Sequence, residues 1–133
     1  MLPRLVAACP SFTQKWEEHK LEYFDEEDFL PYIALSEFNN HIVELYTSGS
    51  TEEFPAAFAE IERLHLEGEP YVKEAATIGC LEGLQSIMGN RGLDVEALVR
   101  FLGPESAKWW SQINKYWDGE IRYVGETIDK EVG

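Results

Sequence analysis

Between residues 35 and 46 the apolar side chains Leu35, Phe38, Ile42, Leu45 and Tyr46 step by three, four, three and one. That is the period of a helix with one buried face, whereas strand side chains alternate every second residue. The same period returns along almost the whole chain. Phe12, Trp16 and Tyr23 fit an earlier stripe, and Phe54, Phe58, Ile61 and Leu64 a later one. Val72, Ala75, Ala76, Cys80, Leu84 and Ile87 make another, in a helix expected from Tyr71 to about Met88, and Val95, Leu98, Phe101 and Leu102 follow. An all-α fold is predicted: about six or seven helices in antiparallel pairs, as a layered or short solenoid-like bundle.

The breaks between stripes carry turn chemistry. Ser48-Gly49 ends one helix, and Ser50-Thr51-Glu52-Glu53 then reads as an S-x-x-E capping box for the next. Gly68 and Pro70 divide the following pair, Asp94 is placed to cap the next segment, and Gly103-Pro104 closes it. Gly79 and Gly83 fall inside a helix, where each costs about 1 kcal/mol against Ala. Close approach of a neighbouring helix is the expected compensation. The organisation predicted is one all-α domain over 1–119 and a short polar tail over 120–133, with extended character at Ile121-Arg122-Tyr123-Val124.

Three of the four tryptophans lie in SAKWWSQINKYW, residues 106–117. On a helix Trp109, Ile113, Tyr116 and Trp117 share a face and are expected to be core. Trp110 sits about 100° round from Trp109. It is expected at the edge, as the tryptophan open to a partner.

With 44% hydrophobic residues in 133, the chain can bury a core and needs only one domain. Its net charge is the outlier: −14, against a magnitude of roughly 2 to 8 for a small soluble domain. Nucleic acid and anionic membrane surfaces are therefore disfavoured as ligands, and a basic protein is favoured. No run of about 18 apolar residues exists, so no membrane span is expected. Val6-Ala7-Ala8-Cys9 resembles a lipoprotein cleavage box, but the apolar run is only Leu5 to Ala8, short of the roughly 7 to 15 residues of a signal peptide. A first helix is expected there. Cys9 and Cys80 lie in apolar helical patterns and read as small buried thiols of a cytoplasmic protein.

The charge is local. Residues 17–74 carry sixteen acidic side chains against three basic ones, and the remainder carries nine against eight. The densest block, residues 22–29, interleaves acids with aromatics. Tyr23, Asp25, Glu26, Glu27 and Asp28 are therefore expected to bind a partner, with Glu52, Glu53, Glu67, Glu69 and Trp110 as further contacts. Aromatic anchors ringed by steering charges are the usual make-up of a hot-spot interface.

Catalytic patterns are thin. Glu62-Arg63-Leu64-His65 has the E-x-x-H spacing of di-iron bundles, but such a site needs a second copy and the chain has none. There is no G-x-S-x-G elbow and no Gly-rich phosphate loop. No enzyme activity, cofactor or metal is expected.

The run LSEFNNHIVELYTSGSTEEFPAAFAEIERLHLEGEPYVKEAATIGCLEGLQ and the later LGPESAKWWSQINKYWDG resemble an uncharacterised bacterial family of small all-helical proteins. Its members are similar to immunity proteins of polymorphic or contact-dependent toxin systems. The resemblance covers about residues 30 to 118, and Val72, Ala75, Ala76, Gly79, Leu81, Glu82 and Leu84 stand in it as helix-packing positions. It implies an immunity protein that binds a cognate toxin domain, one with a basic groove, and occludes its active site or substrate groove. The alternative is an acidic nucleic-acid mimic or adaptor for basic proteins.

Overall fold

The structure, a computed structural model, describes residues 2–23 and 31–119, with side chains from 3–18 and 33–119. Helices α1 (Leu2–Ala8), α2 (Thr13–Tyr23) and α3 (Pro31–Thr47) come first, with a 3₁₀ turn at Pro10–Phe12 between α1 and α2. Then follow α4 (Phe54–Glu67), α5 (Pro70–Glu74), α6 (Gly83–Asn90) and α7 (Pro104–Trp117). Seven α-helices and no strand are present among the described residues, so the fold is all-α. The acidic block from Asp25 to Asp28 and the tail from 120 lie outside those residues.

Helices α5 and α6 belong to one rod. The residues joining them, Ala75–Glu82, form a π-helix, and both junctions keep right-handed helical angles. This wide segment is the centre of the molecule and packs against α3, α4 and α7, while α1 packs on α4. The apolar stripes meet around it. Phe12, Phe38, Phe54, Phe58, Leu35, Ile42, Ile61, Leu81, Leu84 and Met88 are fully buried. Phe54 and Phe101 meet edge to face at 5.1 Å, which locks the 95–101 segment onto α4.

Of the two helix glycines, Gly83 admits a close neighbour. A Cβ on Gly83 would collide with the Asn39 amide of α3, and that same amide donates to the Gly79 carbonyl at 2.7 Å. A π-turn shifts backbone bonding by one residue. Here a buried side chain of α3 serves one of its carbonyls.

Three expectations need correction. First, no capping box forms at α4. Glu53 occupies the cap position with helical angles, and its carboxylate accepts the Ser11 backbone N–H at 2.8 Å instead. A donor from another part of the chain replaces the local one. Second, the segment after Asp94 is a 3₁₀ helix, Val95–Phe101, although Asp94 does cap it by accepting the Glu96 N–H at 3.1 Å. Third, the tryptophans exchange places. Trp110 is 2% exposed and belongs to the core with Ile113, Trp109 is half-buried, and Trp117 is 53% exposed. The inward face of α7 is set by Ser106, Trp110 and Ile113, in steps of four and three, against α4 and the π segment. Tyr116 and Trp117 occupy the last turn, which is exposed. Trp110 is thus not the tryptophan open at the surface.

Candidate partner-binding surface

The residues that look most like chemistry are engaged in holding helices together. Glu62, on α4, accepts the backbone N–H groups of Ser106 (2.8 Å) and Glu105 (3.0 Å). Those are orphan donors in the first turn of α7, so a carboxylate from another helix caps it. Burial pushes the Glu62 pKa up, but these hydrogen bonds outweigh burial and hold it below the ordinary carboxylate value.

His65 lies one turn further, buried. Its Nδ1 lies 3.0 Å from the Ile61 carbonyl, which can only accept, so Nδ1 carries the proton. Nε2 then accepts from the Thr77 hydroxyl at 2.9 Å. The Ser106 hydroxyl is 3.3 Å from Nδ1. Burial lowers the His65 pKa and favours the neutral ring. Both Glu62 oxygens and both His65 nitrogens are engaged by protein groups. Among the described residues no three His, Cys, Asp or Glu side chains gather to hold a metal ion.

A second histidine behaves alike. His41 is buried and its Nε2 lies 2.7 Å from the Ser11 hydroxyl. Its Nδ1 is enclosed with no hydrogen-bond partner. A buried N–H without an acceptor is costly, so the proton belongs on Nε2, which donates to Ser11. In that arrangement His41 cannot take the serine proton.

Unengaged chemistry lies on the outer side of the α4–α5 corner. Leu66 is 59% exposed and Tyr71 53% exposed, and between them stand Glu67 and Glu69, both exposed. Glu74 is exposed one turn beyond Tyr71, with Lys73 the single base from 66 to 74. Glu67 reaches only a long contact, 3.8 Å, to the exposed Arg4. Such a surface pair is weak and easily exchanged. The corner itself is tightly built: a Cβ on Gly68 would come within 2.5 Å of the Leu64 carbonyl oxygen and 2.6 Å of Val72 Cγ1. Glycine lets the two helices turn there without a spacer.

The expected contact residues thus separate. Glu67 and Glu69 come together at this corner. Glu52, exposed, and Glu53, half-buried on Ser11, sit at the opposite end of α4, about 20 Å away along a 14-residue helix. Tyr23 ends α2, and its side chain, like the block after it, lies outside the described residues. Leu66 and Tyr71 were missed by pattern reading. The signal existed, since Leu66 is two residues past Leu64 and points about 200° away from the α4 stripe.

The architecture so far is that of a small all-α bundle with an acid-rimmed apolar corner. The chain belongs to the family described as a domain of unknown function, DUF7674, whose model matches residues 2–118. Neither the curated proteins nor the solved structures contain a match to it.

Proposed function

We propose that this chain is an immunity protein, which binds a cognate bacterial toxin domain in the cytoplasm and occludes its active site or substrate groove. The observation that supports this most is the α4–α5 corner, where Leu66 and Tyr71 stand exposed among Glu67, Glu69 and Glu74. Large side chains that leave water on binding supply affinity, and the acids around them steer a basic surface into place. The excess of negative charge over residues 17–74 extends that attraction beyond the contact itself. A groove that handles phosphates would be basic, and an acidic inhibitor would compete for it. No catalytic role for this chain is part of the proposal.

The test is to co-express the chain with the product of the neighbouring gene. The proposal expects that product to be toxic alone, the chain to protect the cells, and the two to purify as a complex. A harmless neighbour that forms no complex would sink the immunity reading. Capture of many unrelated basic proteins, with no preference for the neighbour, would instead favour an acidic mimic or adaptor.

A further inference from the structure

A second surface lies at the far end of the α5–α6 rod from the α4–α5 corner. Between α6, the 95–101 segment and the end of α7 runs a groove of about 330 Å³, near the lower end for small-molecule sites. Its polar lining is Gln85, Ser86, Asn90 and Asn114, with Trp117 as an aromatic wall and Val95 as an apolar one. None of the lining residues is charged, although 27% of the chain is. Two of the amides are held in place. Gln85 donates to the Trp110 carbonyl at 3.3 Å, and Asn114 donates to the Glu96 carboxylate at 2.9 Å, leaving its amide oxygen to accept.

We infer that this groove binds a neutral saccharide. Carboxamides and a hydroxyl both donate and accept, as sugar hydroxyls do, and an exposed indole offers a flat face to the apolar C–H side of a sugar ring. An anionic ligand would find no opposite charge in the lining, and the Glu96 carboxylate beside it is engaged by the Asn114 amide. The groove is also short. From Gln85 to Asn90 it extends about 8 Å along α6, which gives an extended peptide room for only about two residues but suits a single sugar ring.

The experiment titrates the labelled protein with methyl glycosides of glucose, galactose, mannose and N-acetylglucosamine, following side-chain amide and indole N–H signals by NMR. Glucuronate and a capped Gly-Ser-Gly peptide are the controls. At least one neutral glycoside should shift the Asn90, Asn114 and Trp117 signals saturably, with a dissociation constant on the order of 1 mM or tighter. Trp117→Ala should weaken that binding about tenfold or more, and Asn90→Ala, at an exposed position, should weaken it without altering the melting temperature. The inference is overturned if none of the four glycosides shifts these signals. It is equally overturned if the peptide or glucuronate binds as well, or if both variants bind like wild type.

Discussion

The last two turns of α4 have an inner and an outer side, and residue type does not follow the usual order. Inside lie Glu62 and His65, while Leu66 points out to water. The inner polar groups are saturated: each oxygen of Glu62 meets a backbone N–H of α7, and His65 is held by Ile61 and Thr77. On the outer side, Leu66 and Tyr71 stand exposed amid acids of which Glu67 reaches a basic group, Arg4, only at 3.8 Å. A pair of residues spaced for catalysis here serves packing, and a pair that looks like spare core is free for contact. The same inversion recurs on α7, where Trp110 is core and Trp117 is surface.

Substitutions across this divide should separate stability from contact. The largest difference is expected on α7. Trp110→Ala should cost about 3 to 5 kcal/mol, whereas Trp117→Ala should stay within about 0.5 kcal/mol; denaturant melts of the two variants measure both. Equal losses would erase the distinction between the faces. His65→Ala on α4 leaves a void and an unsatisfied Thr77 hydroxyl and should cost about 2 to 4 kcal/mol, against about 0.5 kcal/mol or less for Tyr71→Ala on α5. Glu62→Ala removes the cap of α7 and should cost about 1 to 2 kcal/mol, with faster amide hydrogen exchange at Glu105 and Ser106.

The smallest effect is in pH. Burial lowers the folded-state pKa of His65 and of His41 below the ordinary 6.5. The unfolded chain therefore takes up protons first as pH falls. Stability should be full above about pH 6.5 and decline gradually below it, and His65→Gln should flatten part of that decline. Glu62, also held below its ordinary 4.5, acts in the same direction further down: its contribution is present above that pH and lost as pH falls through the folded value. Unfolding free energies measured from neutral to mildly acid pH would show a rise on acidification if the histidines gained from charge instead.

Much of the helical architecture is legible in the residues. The stripes through Leu35, Phe38 and Ile42, and through Phe54, Phe58, Ile61 and Leu64, are buried as their period predicts. Local chemistry reads less well where a distant partner intervenes. Glu53 binds Ser11, 42 residues earlier, rather than closing a cap with Ser50, and Glu62 caps a helix more than 40 residues downstream. The π-helix at Ala75–Glu82 has no sequence signature beyond Gly79 inside it and Gly83 just past its end, and the amide that serves its Gly79 carbonyl, Asn39, arrives from α3. Trp110 and Trp117 are seven apart and nearly in phase on a helix. Periodicity could not say which of them has a neighbour to cover it.

The outer corner is best tested by affinity. Glu67→Gln, Glu69→Gln and Tyr71→Ala combined in one chain would be compared with wild type for binding to the neighbouring gene's product, alongside its melting temperature. Binding should weaken about a hundredfold or more, with the deficit in association rate relative to wild type largest at low salt and shrinking as salt rises, while the melting temperature stays within a few degrees. Wild-type affinity in this triple variant would contradict the assignment of the α4–α5 corner as the contact surface.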